Sequence, residues 1–403
     1  MDFSDSPEEA RFRAEARAWL EKHVPSEREL AGMDEVERCK YWQKRKYDAG
    51  WACIRWPKEY GGRDSSAMQQ VIWNQEESRL SPPTGVLSIG QGMAAPTLMQ
   101  WANEEVKRKH LPPLASGEHI WCQLFSEPAS GSDLAALRMR AEREGDDWIL
   151  NGQKIWTSGA HYSDYGIVVV RSDPTVPKHQ GLTYFFVDMK SAGIETRPIK
   201  QISGDSNFNE VYFNDVRVPD RQRLGAVGQG WQVSMTTLMH ERLAIGGGGG
   251  LNTRHLFRLA EQTEIDGRPA IEDRAVRARL AHWYCREMGL KYTGYRAMTA
   301  LSRGEIPGPE NSISKLVGAV QSQDMASFAM DLLEFCGAVM QRDLAAGEGQ
   351  LGYAFLGSPG IRIAGGSDEI MLNILAERVL GMPQDPRVDK GIPFHEIATG
   401  SKN

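Results

Sequence analysis

Residues 121–137 carry the residue types best suited to hold a polar ligand against the main chain. An apolar stretch predicts a strand over residues 120–125, and turn-forming residues follow it. These turn-forming residues are Ser126, Pro128, Ser130, Gly131, Ser132 and Asp133. A strand that ends in small hydroxyl residues and glycine exposes backbone N–H groups, which a planar cofactor or a phosphate needs for close approach. An ordinary Ser/Gly loop has the same composition, so these residues alone favour neither interpretation.

A second unusual segment is the run of five glycines at Gly246–Gly250, directly after a helix predicted over residues 231–245. Each glycine in a helix costs up to about 1 kcal/mol relative to alanine. A flexible break after the helix would explain the run. Close approach of a ligand or of another helix, which needs positions without side chains, would explain it equally well.

The elements before these segments are predicted to be helices. Two capping boxes predict helix starts, Ser6 with Glu9 and Asp34 with Glu37. A short helix is predicted to begin at Asn103 and to end before Pro112, because proline disrupts a helix interior. Proline and glycine recur between the helices, which favours a packed bundle over a coiled coil.

The elements that carry the first segment are predicted to be strands. Residues 120–219 change to short β-rich runs with period-two alternation. Gly145 marks one turn, and Asn151-Gly152 is a strong signal for a second hairpin turn. About a hundred such residues between two helical blocks predict a small β-barrel or sandwich.

The order of elements predicts an α+β chain of three domains. Beyond residue 230 further helices are predicted over residues 274–301, 312–339 and 369–380. The predicted domains are 1–119, helical; 120–226, the central β domain; and 227–403, helical.

Composition excludes several classes of function. The 403 residues carry a formal net charge of −6, which gives no basic footprint for nucleic acid. No apolar run reaches membrane-spanning length, so no membrane partner is expected. The five cysteines are an odd number without a C-x-x-C pair, and they support neither a disulfide framework nor a metal site. No signal-peptide pattern is seen, so a reducing cytoplasm is the expected location.

Five stretches together resemble the signatures of the acyl-CoA dehydrogenase family of flavoenzymes, in order, over residues 120–382. They are SEPASGSD at 126–133, NGQKIWTS at 151–158, FNDVRVP at 213–219, ER at 241–242, and IAGGSDEI with AERVLG at 363–381. Ser130 stands where the family usually has alanine. The resemblance implies the family's fold, namely an N-terminal helical domain, a central β-barrel or sandwich domain and a C-terminal four-helix bundle.

The same resemblance implies FAD as cofactor and an acyl-CoA thioester as substrate. The implied reaction is α,β-dehydrogenation to the trans-2-enoyl-CoA, in which a carboxylate removes the α proton and the β hydrogen leaves as hydride to flavin N5. Because the α proton is weakly acidic, donors must stabilise the enolate-like oxygen and the base must be kept dry. A role in lipid metabolism and β-oxidation, an electron-transfer flavoprotein as acceptor, and a homodimer or homotetramer are also implied.

Glu241 is the catalytic base that the resemblance implies. Many family members carry this base near the C-terminus as E-G-T, but this chain has Gly365-Gly366-Ser367 there, and Gly365 has no side chain. A subfamily typified by isovaleryl-CoA dehydrogenase places the base on the long helix before an arginine, as in Glu241-Arg242. The alternative is a surface glutamate paired with a neighbouring arginine.

The other implied site residues fall on the matching motifs. The implied FAD contacts, from the flavin ring to the adenosine side, are Phe125, Ser126, Gly131, Ser132, Trp156, Thr157, Ser158, Ser367 and Glu369. The implied substrate contacts are Ser132, Leu238 and Arg242. Without the resemblance, Trp156 would be interpreted as a core residue of the β domain.

Two departures from the family pattern bear on assembly. Residues 263–267, TEIDG, lack the arginine of the R-x-T-F-G motif, which in the family reaches the partner subunit's FAD, and the glutamine–glycine motif is blurred at 333–338. A different adenine site or a mixed oligomer would follow. Some bacterial members that act on steroid side-chain thioesters are mixed pairs, and the glycine run would leave room for a bulky acyl group. An oxidase or desulfinase outcome and a non-catalytic companion subunit are the remaining alternatives.

Overall fold

A computed structural model of the protein describes residues 5–245, 251–302, 308–339 and 350–397. Contacts divide this chain into two units. The first unit comprises the chain up to Lys200, Ser206–Glu241 and the chain from Pro386 onward, and the second comprises Gln201–Asp205 and Arg242–Asp385. None of the helices within the described ranges combines the length and apolar character needed to cross a membrane.

The first unit begins with helices, as the sequence predicts, and five α-helices precede the sheet. They are α1 (Pro7–His23), α2 (Glu35–Asp48), α3 (Ala67–Ser78), α4 (Ala95–Trp101) and α5 (Glu104–Ser116). Both predicted capping boxes are present, at Ser6 with Glu9 and at Asp34 with Glu37. Each box satisfies two backbone N–H groups that a helix start otherwise leaves unpaired.

Helix α5 does not end before its prolines, so that prediction is wrong. Asn103 caps its start as predicted, but Pro112 and Pro113 lie inside the helix. A proline in a helix interior costs about 3 kcal/mol. Burial of Leu111 and Leu114, both fully buried in the core of this unit, offsets that cost and keeps the last turn helical.

One mixed sheet forms the centre of the first unit. Its strands are β1 (Trp121–Leu124), β2 (Arg140–Glu144), β3 (Asp147–Ser158), β4 (Tyr165–Arg171), β5 (Leu182–Asp188), β6 (Ile194–Ile199), β7 (Phe208–Pro219) and β8 (Arg223–Leu224). They pair in the order β6-β7-β3-β2-β4-β5-β8, and β1 lies parallel to β4. The β-rich middle of the chain is thereby confirmed.

The predicted hairpin at Asn151-Gly152 is wrong, because β3 runs straight through these residues. Pairing of β3 with β7 shifts register between Leu150 and Gly152. Gly152 has φ of +146°, and the Asn151 side chain bonds Asp215 on β7. The Asn-Gly pair therefore forms a bulge, while the turn between β2 and β3 lies at Gly145.

Helix α6 (Gly230–Ile245) follows the sheet, and residues up to Glu241 belong to the first unit. The second unit contains α7 (Thr253–Gln262), β9 (Glu264–Ile265), β10 (Arg268–Pro269), α8 (Arg274–Ser302), α9 (Ser312–Leu333), α10 (Gln350–Ile361) and α11 (Asp368–Ile374). The predicted C-terminal helices are thus confirmed. The segment that departs from the family pattern forms the β9–β10 hairpin. The glycine run at 246–250 lies outside the described residues.

Candidate active site

Glu241, the predicted base, lies on α6 in hydrogen-bond contact with β1. Its Oε2 accepts a hydrogen bond from Nε2 of Gln123 at 3.2 Å. Both side chains are partly buried. Gln123 was not among the predicted site residues, although a single amide in an otherwise apolar strand is the kind of signal that identifies a residue facing a polar site.

A chain of buried hydroxyl groups anchors α6 one turn before Glu241. Thr237 Oγ1 lies 2.9 Å from the Tyr184 hydroxyl and 2.9 Å from Thr97 Oγ1, and Thr97 donates to the Met93 carbonyl at 2.8 Å. Because the Thr97 proton goes to the Met93 carbonyl, Thr97 Oγ1 can only accept from Thr237, whose one proton is shared between Thr97 and the Val233 carbonyl at 3.3 Å, and Tyr184 donates to Thr237. Burial and the nearby Glu241 carboxylate raise the pKa of Tyr184, so it remains a donor.

The residues next to Glu241 on α6 have different surroundings. Leu238 is partly buried and packs against the core of the first unit. Burial lowers the pKa of His240. The side chain of Arg242, the predicted substrate contact, lies outside the described part of the chain.

The loop after β1 is held by a buried ion pair that was not among the predicted features. Lys154 is fully buried, and its Nζ donates to Glu127 Oε1 at 2.9 Å and to the Phe125 carbonyl at 3.0 Å. The Glu127 carboxylate also accepts from the backbone N–H groups of Arg138 at 2.6 Å and Met139 at 2.9 Å. Burial lowers the pKa of Lys154, and Glu127 opposes that shift. These contacts fix the loop from its buried side.

A signal for Lys154 existed in the sequence. Lys154, Trp148 and Leu150 are separated by even numbers of residues along β3, and all three are buried. A charged residue at an inward strand position requires a buried partner, because an unpaired buried charge is very costly.

The upper side of this loop is open. Gly131 and Ser132 are exposed, and a Cβ atom added to Gly131 would meet nothing within 4 Å. Ser126 is partly exposed, and its carbonyl accepts from the Ile155 N–H at 2.9 Å. The Phe125 ring is buried against Tyr184, and the Phe125 carbonyl is the one that accepts from Lys154.

Trp156 and Thr157 lie next to each other on β3, the first exposed and the second buried. Pairing of β3 with β7 shifts again between Lys154 and Thr157, and within this bulge Trp156 has φ of +59° and is 57% exposed. Thr157 Oγ1 is buried without a hydrogen-bond partner among the described residues. Ser158 is partly exposed at the end of β3.

These features fit a flavin. An exposed indole in left-handed backbone costs about 1–3 kcal/mol and needs a compensating role, which a flat ring packed on it would supply. The orphaned Thr157 hydroxyl beside it would pair with a polar atom on the ring edge. The open, glycine-containing loop admits a phosphate group to the main chain.

Ser367 and Glu369 lie at the start of α11 in the second unit. Ser367 is its N-cap and accepts from the Ile370 N–H at 3.4 Å. Glu369 is exposed, and hydrogen bonds from its own backbone N–H and from Ser367 lower its pKa. Beneath them, Lys315 Nζ donates to the carbonyls of Arg362 at 3.0 Å and Gly366 at 2.5 Å.

The exposed glycine-containing loop and the exposed Trp156 fit a flavoprotein, and comparison with known proteins gives the family. Models of the acyl-CoA dehydrogenase N-terminal, middle and C-terminal domains match residues 6–118, 122–216 and 228–380. The chain belongs to the acyl-CoA dehydrogenase family, and FAD is its cofactor.

Three similar proteins are informative. Acyl-CoA dehydrogenase FadE34 of Mycobacterium tuberculosis is 38% identical over 88% of this chain, but the chain spans 47% of FadE34. Acyl-CoA dehydrogenase IpdE1 of the same organism is 35% identical over 93% of this chain and 98% of IpdE1. A solved structure, the Tcur3481-Tcur3483 steroid ACAD (acyl-CoA dehydrogenase), has a TM-score of 0.82 and 30% identity, covering 96% of this chain and 100% of that chain.

Proposed function

We propose that this protein catalyses α,β-dehydrogenation of an acyl-CoA thioester to the trans-2-enoyl-CoA, with Glu241 as the base that removes the α proton. The observation that carries this proposal is the Gln123–Glu241 hydrogen bond at 3.2 Å, which orients the carboxylate. The hydroxyl chain through Thr237 fixes the helix turn that precedes it. Bound FAD supplies the two-electron oxidant for the β hydrogen.

The chain's own residues account for the remaining requirements. Glu241 is partly buried, which limits the access of water to its carboxylate, as removal of a weakly acidic C–H proton requires. The residues proposed to hold FAD are Phe125, Ser126, Gly131, Ser132, Trp156, Thr157, Ser158, Ser367 and Glu369. The residues proposed to contact the substrate are Ser132, Leu238 and Arg242.

Absorbance of the flavin under anaerobic conditions tests the base. We expect acyl-CoA to bleach the wild-type flavin, and Glu241→Gln to bind the thioester while bleaching about 10²–10⁴ times more slowly, since that is the usual contribution of a general base. Glu105→Gln, which removes one charge from an exposed position on α5, should bleach at the wild-type rate. Wild-type bleaching by Glu241→Gln would reject Glu241 as the base.

We further propose a bulky, steroid-derived thioester as the substrate class. Similarity to a steroid ACAD over 96% of this chain supports it. A panel of CoA esters tests it, and a profile that favours straight short chains would reject it. The proposed acceptor is an electron-transfer flavoprotein. Oxygen consumption would instead identify an oxidase, and sulfite release a desulfinase.

A mixed oligomer is the second candidate. The β9–β10 hairpin, which stands in place of the arginine-containing family segment, favours it. Similarity to the Tcur3481-Tcur3483 steroid ACAD, whose name joins two components, also favours it. The chain expressed alone should then be colourless and gain flavin when a companion chain is co-expressed. A yellow, active protein from this chain alone would favour a homodimer or homotetramer and would reject a non-catalytic companion role.

A further inference from the structure

Residues 386–397, the C-terminal strap, pack against the segment between β4 and β5. The Phe394 N–H donates to the Val176 carbonyl at 2.9 Å, and the His395 N–H donates to the Pro174 carbonyl at 3.0 Å. The C-terminal family model ends at residue 380, so the strap lies beyond the part of the chain that it matches. All of these residues belong to the first unit.

The strap covers a buried arginine that holds the loop after Asp133. Arg171 is 4% exposed and donates to the carbonyls of Ala135 at 2.6 Å and Leu137 at 3.0 Å. Its Cζ lies 3.4 Å from the centroid of the Phe394 ring. Within the described ranges no carboxylate lies within ion-pair distance of Arg171, although the charges of Glu127, Asp133 and Asp173 oppose the lowering of its pKa by burial. The Phe394 ring therefore packs directly on the guanidinium group as a cation–π partner.

A lysine joins the strap to the same loop from a second direction. Lys178 Nζ lies 2.8 Å from Asp133 Oδ2 and 2.5 Å from Asp389 Oδ2. Its side chain is 13% exposed. A cation shared by two carboxylates fixes both, which ties the strap to the end of the Ser/Gly loop.

We propose that the C-terminal strap is a positioning element for the FAD loop, residues 131–138. Phe394 holds Arg171 in place and Asp389 holds Lys178, and these two cations hold the loop open for the cofactor. The rate at which the protein loses FAD therefore depends on the strap. This inference rests on the proposed role of the loop in FAD binding.

The experiment uses the full-length holoenzyme. Phe394→Ala and Asp389→Asn should each release FAD about tenfold faster, followed as the gain in flavin fluorescence on dilution. Amide hydrogen exchange in residues 131–138 should also be faster in both variants. Val388→Ala, at a position in the strap that is 91% exposed, is the matched control and should leave both readouts unchanged.

The two readouts separate the two possible failures. Unchanged exchange of residues 131–138 in both variants would overturn the strap's role. Faster exchange with an unchanged rate of FAD loss would overturn the link to FAD and the assignment of the loop to the cofactor. Phe394→Tyr, which keeps the aromatic face, should restore wild-type values, and failure to do so would count against the contact with Arg171.

Discussion

Each unit of the protein supports a signature loop with a buried lysine, but the two lysines do so differently. Lys154, in the first unit, forms an ion pair with Glu127, whose carboxylate is also bonded by two backbone N–H groups. Lys315, in the second unit, donates to the carbonyls of Arg362 and Gly366. In both cases burial lowers the lysine pKa and a nearby carboxylate opposes the shift.

The difference lies in the carboxylates. Asp368 Oδ2 accepts from Arg362 Nε at 2.6 Å, but Oδ1 has no hydrogen-bond partner among the described residues. Lys315 Nζ lies 3.8 Å from that oxygen, which is within ion-pair range but too long for a hydrogen bond. The loop in the first unit is therefore complete by itself, whereas the loop in the second unit leaves a buried acceptor unsatisfied.

The largest effect is expected from removing the charge at Lys154. Lys154→Met leaves the Glu127 carboxylate buried without its cation, which should lower the free energy of unfolding by about 3–5 kcal/mol. Urea unfolding followed by tryptophan fluorescence measures it, since ten of the eleven tryptophans lie outside residues 242–385.

Two variants make this result interpretable. Lys190→Met removes a lysine that is 76% exposed from its ion pair with Asp164, and should change stability by less than about 1 kcal/mol. Adding Glu127→Gln to Lys154→Met should recover part of the loss, because the unpaired charge is gone. If Lys154→Met unfolded at the same urea concentration as the wild type, the Lys154–Glu127 ion pair would not be what stabilises the loop of the first unit.

The next largest effect is expected at His110, a buried histidine whose protonation should lower the free energy of unfolding. His110 packs among Trp121, Tyr165 and Phe186, its Nδ1 is unpaired within the described chain, and burial lowers its pKa to about 4. The folded state favours the neutral ring. Its contribution is therefore present above the ordinary pKa of 6.5 and is lost as the pH falls toward 4.

The expected loss between these pH values is about 2–3 kcal/mol. The measurement compares urea midpoints at both ends of that range. His110→Phe should remove this part of the pH dependence, whereas His282→Gln, at an exposed position, should retain it. If His110→Phe and the wild type lost the same stability in acid, another group would be responsible.

The smallest effect is expected at Lys315. Lys315→Met removes two hydrogen bonds to carbonyls but leaves Asp368 its contact with Arg362, so a loss of about 1–2 kcal/mol should follow. Faster amide exchange in residues 362–374, relative to α8, is the local readout. A loss as large as that of Lys154→Met would show that the two loops are supported alike.

Much of the architecture could be predicted from the sequence because its signals are local. The capping boxes at Ser6 and Asp34, the β-rich middle and the long C-terminal helices depend on residues a few positions apart. The two local errors, at Pro112 and Asn151, arose where tertiary contacts override a local preference.

The support for the site could not be predicted in the same way. Gln123 meets a residue 118 positions away, and Lys154 meets one 27 positions away. Neither partner follows from spacing, because long-range pairs depend on which strands lie side by side. Polar residues at inward strand positions indicate that partners exist, and the fold is needed to identify them.

The backbone at Trp156 and the unpaired hydroxyl of Thr157 have a consequence for the stability of the protein without its cofactor. Left-handed backbone and an unsatisfied hydroxyl both lower the stability of the protein when FAD is absent. A ligand that binds the folded state alone raises its stability by about 3 kcal/mol at a hundredfold excess over Kd. The fraction of this protein that is unfolded, and so exposed to proteases, should therefore rise when FAD is scarce.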